Sequence, residues 1–315
     1  MDDFETEGRS MSRSMKPQVI WTEWDDLSIP IEFSRLSPSS APLDGENLGE
    51  ITYFVPPYMG GRDALLPILR MPKLRTVQLP NAGYDDALEF IRPGLTFCNA
   101  RGVHDASTAE LAVGLAIASR RGFPDNLRNQ FHGEWVPERR KSLTDSRIGI
   151  IGFGSIGQMI KQNLSGFVVE TIAFSRSGAA GSKRLHELDD ELPNLDIVIL
   201  ALPLNSESRG LFDARRLALM KDGALLVSIA RGPIVDTEAL VAELNSGRLF
   251  AALDVTDPEP LPKEHPLWSA KGVFISPHVG GNTTAFEPRF RKLVEEQLRR
   301  LNLGEVLKNI VIEGN

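Results

Sequence analysis

Arg147-Ile148-Gly149-Ile150-Ile151-Gly152-Phe153-Gly154-Ser155-Ile156-Gly157 is the stretch that decides the fold. Ile148, Ile150 and Ile151 supply an apolar strand, and Gln158-Met159-Ile160-Lys161-Gln162 continue beyond the glycines as a helix. Gly152 permits a tight turn, Gly154 lets the backbone approach a pyrophosphate, and Gly157 lets the helix pack close to the strand. The first helical residues, Ser155 and Ile156, turn N–H groups toward the phosphates. A strand, a glycine turn and a helix in that order predict a dinucleotide site.

The rest of the chain sets the bounds. It has 315 residues, 42% hydrophobic and 24% charged, more than one core usually fills, so two domains are expected. A formal charge of −7 argues against a nucleic-acid partner or an anionic membrane, both of which call for a basic face. The one cysteine, Cys98, rules out an internal disulfide and suits a reducing compartment; among apolar neighbours it reads as a small core residue. The longest apolar run, around Leu111 to Ala118, is too short to span a membrane. Residues 1–16 are polar and charged without the apolar centre of a secretory signal, so a disordered tail is expected, with Met11 or Met15 as alternative starts. The expected location is the cytoplasm.

Outward from the glycine motif, strands and helices alternate on both sides. Before it, Gln18 to Ile20, Ile51 to Val55, Arg75 to Leu79 and Leu95 to Asn99 read as strands, with a short helical stretch from Ala64. A helix is predicted over 107–118, with Ser107 or Thr108 as its N-cap. Gly133-Glu134-Trp135 and the charged Glu138 to Lys141 run form an exposed link. After the motif come strands at Glu170 to Phe174, Asp196 to Ala201, Leu225 to Ile229, Phe250 to Val255 and Val273 to Ile275, with a helix over 237–244. A last helix, Arg289 to Leu303, is placed to return to the first domain. The predicted class is α/β, with two Rossmann-like or flavodoxin-like domains, each a doubly wound parallel sheet, and a crevice between them.

Three polar motifs follow directly on predicted strands, where a doubly wound sheet places its ligands. Arg231, in Ala230-Arg231-Gly232, can grip a carboxylate bidentately and polarise an adjacent carbonyl. Asp254 can accept a hydrogen bond from a nicotinamide carboxamide, and Glu259, between Pro258 and Pro260, can orient a histidine. Of the five histidines only His278, in Pro277-His278-Val279-Gly280, lies at a strand end among glycines. Imidazole suits the passing of a hydroxyl proton near neutrality, and a neighbouring carboxylate favours its protonated form. Each residue alone has a plainer reading: a surface arginine, turn-forming acids, a turn histidine. Together with the glycine turn they make four strand-end motifs in sequence, an order that chance rarely produces.

From about Ile51 to Val311 the chain resembles the D-isomer-specific 2-hydroxyacid dehydrogenases, which include glyoxylate/hydroxypyruvate reductases and 3-phosphoglycerate dehydrogenases. The matching pieces are Gly152 to Gly157, Ala230-Arg231-Gly232, Leu253-Asp254-Val255, Glu259-Pro260 and Pro277-His278. The resemblance implies Arg231 as substrate-binding residue, His278 as acid/base and Glu259 as its carboxylate partner. It also implies a discontinuous substrate-binding domain, residues 17–106 and 285–315, around a dinucleotide-binding domain of residues 107–284, with hinges near Asn99 to Ser107 and Thr283 to Glu287. A homodimer through the dinucleotide-binding domain is implied too. Leu79-Pro80-Asn81-Ala82-Gly83-Tyr84-Asp85 is similar to the family loop whose backbone amides, here those of Ala82 and Gly83, hold the substrate carboxylate. Thr108-Ala109-Glu110 resembles the segment beside the nicotinamide, Pro203 matches the proline on the adenine side, and Ala230 and Gly280 fall among the cofactor contacts. No metal is expected.

Departures from the family pattern sharpen the expectation. NAD-using members end the second strand of the nucleotide fold in an acid that binds the ribose 2′-OH; here Thr171 to Phe174 runs into Ser175-Arg176-Ser177. A carboxylate there would repel a 2′-phosphate, whereas these side chains donate hydrogen bonds and charge to it, so NADP(H) is the expected cofactor, with NAD(H) as the alternative. Formate-oxidising relatives carry glutamine in place of Glu259, and phosphite-oxidising relatives a lysine in place of Ala82, so neither reading fits. The expected activity is hydride transfer between nicotinamide and a small 2-keto or 2-hydroxy acid of the glyoxylate/hydroxypyruvate type. The alternatives are a 3-phosphoglycerate dehydrogenase-like enzyme and a non-catalytic nucleotide sensor. Tyr53, Tyr58 and Met59 offer either an apolar substrate wall or domain core, and Arg101 either a phosphate contact or a solvated surface charge.

Overall fold

The computed structural model describes residues 18–314; the expected N-terminal tail and alternative starts lie outside them. In chain order the strands and α-helices are β1 (Val19–Trp21), β2 (Ser34–Leu36), β3 (Tyr53–Phe54), β4 (Thr76–Gln78), β5 (Thr96–Cys98), α1 (Asp105–Arg120), α2 (Phe123–His132), β6 (Ser146–Ile151), α3 (Ser155–Leu164) and β7 (Val169–Ser175). They continue with β8 (Lys183–Arg184), α4 (Leu188–Glu191), β9 (Ile197–Leu200), α5 (Ala214–Leu219), β10 (Leu225–Ser228), α6 (Thr237–Asn245), β11 (Phe250–Leu253), β12 (Val273–Ile275), α7 (Phe286–Leu303) and β13 (Ile310–Ile312). Two compact units result, one of residues up to 101 with those from 288 on, the other of residues 102–287. These breaks lie five and three residues from the expected 106/107 and 284/285.

In the first unit the sheet order is β13-β5-β4-β3-β1-β2, parallel except for antiparallel β13. Without β13 this is the flavodoxin-like order. Trp21, Phe54, Val77 and Phe97 are fully buried in its core. Helix α7 presents Phe290, Val294 and Leu298, spaced four apart on one stripe, and all three are buried. On the same helix Gln297 donates to the Gln78 side chain at 2.9 Å and to the Lys308 carbonyl at 2.8 Å, tying the helix to β4 and to the approach to β13. Tyr53 is core, not substrate wall: its strand buries it completely.

In the second unit all seven strands are parallel, in the order β12-β11-β10-β9-β6-β7-β8. The chain leaves β6 for β7 on one side and later returns to β9 on the other, so the order reverses at the end of β6, where the glycine turn stands. Alternate residues of one strand serve opposite faces: Ile197 and Ile199 pack with α1 and α3, while Val198 and Leu200 join the core on the other side. Both faces are covered, which is why these strands read as nearly continuous apolar runs. Each fully buried isoleucine among them contributes roughly 1.5–3 kcal/mol.

Several elements differ from expectation. Helix α1 starts at Asp105 rather than 107, with His104 at its N-cap position, so neither Ser107 nor Thr108 caps it. The stretch from Ala64 is a 3₁₀ helix spanning Gly61–Arg70, with Pro67 inside it. Strands β2, β8 and β13 and helix α2 went unpredicted. Helix α2 has no buried residue, so no core-facing stripe announces it.

Candidate active site

The glycine turn takes the geometry its sequence asks for. Gly152 has φ +100°, and a Cβ there would lie 2.5 Å from the Ala201 carbonyl oxygen just past β9. At Gly157 a Cβ would fall 2.0 Å from the Gly152 carbonyl oxygen, so only glycine lets α3 start this close to β6. Gly154 faces open space, with nothing within 4 Å of its missing Cβ, and no side chain caps the helix that begins at Ser155. An uncapped helix N-terminus beside room for a pyrophosphate fits a dinucleotide.

The strand-end residues converge on one another. Arg231 leaves β10 in an extended conformation and donates to the Ala230 carbonyl at 2.7 Å. Next to it, Gly232 packs so closely on the loop after β11 that a Cβ would fall 1.9 Å from the Thr256 carbonyl oxygen. That loop is tied further by Thr256 Oγ1, which donates to the Pro258 carbonyl at 2.9 Å, and by Thr237 Oγ1, which donates to the Asp257 carbonyl at 3.1 Å. It carries Glu259, whose Oε1 lies 2.5 Å from His278 Nδ1. Burial works to raise the Glu259 carboxyl. The His278 hydrogen bond and charge, the Thr256 amide and the positive charge of Arg231 outweigh it, holding the carboxyl below its ordinary 4.5. Glu259 therefore hydrogen-bonds His278 through Nδ1 and feels the charge of Arg231.

His278 has φ +51°, a left-handed conformation that costs a non-glycine residue about 1–2 kcal/mol. Asp254 offsets that cost. Its backbone carbonyl accepts from the His278 amide at 2.8 Å. Its buried carboxylate accepts from Ser276 Oγ at 2.6 Å and from the amides of Val279 and Gly280, both at 2.9 Å. The residue singled out for a nicotinamide contact thus also clasps the loop that presents the histidine. Sequence reasoning missed this task, because the loop that Asp254 clasps lies 22 to 26 residues further along the chain. Thr108, on α1, borders the same loop, since a Cβ on Gly280 would sit 3.4 Å from its methyl.

Residues 113–280 match the family model described as "D-isomer specific 2-hydroxyacid dehydrogenase, NAD binding domain". The chain belongs to this family. A glyoxylate reductase of Thermococcus kodakarensis is 35% identical over 259 residues, covering 76% of this chain and 77% of that protein. A D-3-phosphoglycerate dehydrogenase of Methanocaldococcus jannaschii is 30% identical over 255 residues; the match takes in 78% of this chain but only 48% of the longer relative. Among solved structures, a D-isomer specific 2-hydroxyacid dehydrogenase from Xanthobacter autotrophicus Py2 in complex with NADPH and MES is 26% identical with a TM-score of 0.73, covering 94% of this chain and 98% of that one. Like its family, this 2-hydroxyacid dehydrogenase is an oxidoreductase of CH–OH donors that uses a nicotinamide dinucleotide.

The remaining predicted residues of the dehydrogenase fall in three places. Ser175, Arg176 and Ser177 lie at the end of β7, beside the glycine turn in sheet order. Ser175 is spent on its own loop, where its Oγ accepts from the Gly178 amide at 3.0 Å and pairs with Ser182 Oγ at 2.7 Å. Arg176 is 80% exposed. Pro203 follows β9, and its carbonyl accepts from Ser208 Oγ at 2.7 Å. Ala82 and Gly83 belong to the first unit, in the loop after β4, where Asn99 Nδ2 donates to the Ala82 carbonyl at 2.6 Å. Among the described residues no helix is long and apolar enough to cross a membrane, and no group of three or more His, Cys, Asp or Glu is placed to hold a metal.

Proposed function

We propose that the protein reduces a small 2-ketoacid, of the glyoxylate or hydroxypyruvate type, with NADPH. The observation that carries the reading is the Arg231–Glu259–His278 trio at the strand ends of the unit that holds the glycine turn, with Glu259 hydrogen-bonded to His278 and within electrostatic reach of Arg231. The cofactor, when bound, supplies the hydride. Arg231 grips the substrate carboxylate and polarises the keto oxygen; the loop of Ala82 and Gly83 in the first unit is assigned to carboxylate binding through its backbone amides. His278 delivers the proton to that oxygen from Nε2, while Glu259 on Nδ1 fixes the ring and balances its charge. Asp254 keeps the histidine loop in place and would accept a hydrogen bond from the carboxamide. Thr108, Pro203 and Ala230 would line the cofactor, whose phosphates would be held at Gly154, Ser155 and Ile156.

Four features support the finer points. A recess of the first unit beside Asn81 and Gly83 is lined by Pro56, Pro57, Leu65, Leu79 and Pro80, with Asp86 and, among the described residues, no lysine or arginine. Arg62, next to Gly61 in that lining, is bidentate to Glu89. An apolar, faintly acidic recess suits a short uncharged substituent better than a phosphate. The exposed Arg176 supports NADP(H) over NAD(H). On the second unit Phe123, Leu127 and Phe131 form one apolar stripe of α2, 48%, 52% and 85% exposed, and Trp135 follows. This stripe is the face we assign to a homodimer, and the buried single thiol suits the cytoplasm.

The test is an initial-rate measurement at the nicotinamide band. NADPH and NADH are run in parallel against glyoxylate, hydroxypyruvate, pyruvate, phenylpyruvate and 3-phosphohydroxypyruvate. Turnover led by glyoxylate or hydroxypyruvate with NADPH supports the reading. Preference for 3-phosphohydroxypyruvate overturns the substrate, and nucleotide binding without turnover of any ketoacid favours a sensor.

A further inference from the structure

We propose that Glu207 tunes cofactor choice by competing with the 2′-phosphate of NADP(H) for the guanidinium of Arg176, an inference that rests on reading Ser175 to Ser177 as the ribose end of the site. The two residues approach from opposite sides of the glycine turn. Arg176 follows β7 and Glu207 lies in the loop after β9, while β6, which feeds the turn, runs between those strands. Arg176 Nη1 and Glu207 Oε2 stand 4.0 Å apart, both largely exposed. The pair thus spans the strand end at which the glycine turn stands.

Each partner is held by its own loop rather than by the other. Asn205 Oδ1 accepts from the amides of Glu207 and Ser208, both at 2.9 Å. Ser208 Oγ accepts from the Asn205 amide at 2.8 Å and donates to the Pro203 carbonyl. Across the turn, Ser175 Oγ closes the Arg176 loop through Gly178 and Ser182. The Glu207 backbone is therefore fixed, and its carboxylate stays near when the guanidinium turns to a new anion. A phosphate monoester carries roughly −1.5 to −2 charges at pH 7, so it must both displace this carboxylate and sit beside it. NAD(H), with a neutral 2′-OH, displaces nothing. An exposed ion pair of this kind is worth about a two- to fivefold change in affinity.

The measurement is fluorescence titration of the full chain with NADPH and with NADH, for wild type, Glu207→Gln, Glu207→Lys, Arg176→Ala and Arg176→Ala/Glu207→Gln, each checked for an unchanged melting curve. KM and kcat for both cofactors accompany it. Glu207→Gln is expected to tighten NADPH by about two- to fivefold, leave NADH binding and kcat unmoved, and lose its effect in the Arg176→Ala background. Glu207→Lys tightens NADPH further. The gain shrinks as ionic strength rises from about 0.01 to about 0.15 M and the Debye length falls from about 30 to about 8 Å. If Arg176→Ala weakens NADPH selectively while Glu207→Gln changes nothing, the competition is wrong and the cofactor reading stands. If Arg176→Ala leaves the NADPH to NADH ratio unchanged, the cofactor reading fails and this inference with it. A Glu207→Gln gain that persists without Arg176 overturns the competition.

Discussion

Gly232→Ala isolates the contact between the two corners that carry the catalytic trio. The added Cβ would lie 1.9 Å from the Thr256 carbonyl oxygen, 2.2 Å from its carbon and 2.7 Å from the Asp257 nitrogen. All three are backbone atoms, so no flexible side chain can step aside. Ordinary contact begins near 3.4 Å, so the Arg231 corner and the Thr256 corner must separate by about 1.5 Å. Gly232 does not sit in the left-handed region, so alanine suits its backbone angles and the penalty is steric. Arg231 is the preceding residue, and Glu259 is carried three residues beyond Thr256. A misplacement of about 1 Å in a reacting constellation costs about 100-fold in rate. The predicted result is a kcat/KM for ketoacid reduction down by about that factor, with stability reduced by about 1–3 kcal/mol. NADPH affinity is expected to fall far less than kcat/KM, because the glycine turn on β6 and α3 is untouched and only Ala230 and Asp254 adjoin the displaced corners. Initial rates, NADPH fluorescence titration and urea unfolding read the three quantities. A folded variant with wild-type kcat/KM refutes the reasoning.

Three more outcomes follow from particular groups. The Glu259 carboxyl is held below its ordinary 4.5, so the stability it gains from its partners is fully present above that value and is lost as pH falls through the lower folded one. The difference in unfolding free energy between wild type and Glu259→Gln, read from urea titrations, is therefore expected to be about 0.5–1 kcal/mol near pH 7, allowing for solvent screening, and to shrink progressively as pH falls below 4.5. Burial pushes the Cys98 thiol up to about 12, against a smaller opposing hydrogen bond from Gln297. An aromatic disulfide reagent at mildly alkaline pH is expected to find no reactive thiol until denaturant exposes one. Phe131→Asp on the exposed stripe of α2 is predicted to convert a species of twice the 34.7 kDa chain mass into the monomer, as read by light scattering; a monomeric wild type sinks that assignment.

The second unit was the more legible half of the fold. Its strands are buried on both faces, so β6, β9 and β10 announce themselves as apolar runs, and the glycine turn fixes where the chain reverses. The elements that escaped are short and marginal. β2 and β8 are edge strands of three and two residues, and β8 offers only Lys183 and Arg184, with no apolar period to read. β13 pairs antiparallel with β5 across more than 200 residues of chain, a partnership that no local pattern encodes. Helix α2 shows its apolar stripe outward, so a search for core-facing periodicity passes over it. At the site, Arg231, Glu259 and His278 could be picked out because each follows a strand. The clasp by Asp254 could not, since it depends on where the loop after β12 folds back. Ser175 shows the converse: its residue type suggested a ligand contact, but its hydroxyl is needed to close its own loop.

The central claim is that His278, held by Glu259, passes the proton in hydride transfer to a ketoacid. The most direct measurement is the steady-state rate of NADPH oxidation by the best ketoacid of the panel, for wild type and His278→Asn, alongside NADPH affinity. A fall in kcat of about 10²- to 10⁴-fold with unchanged NADPH binding is predicted. A correctly folded His278→Asn enzyme that turns over at the wild-type rate would contradict it.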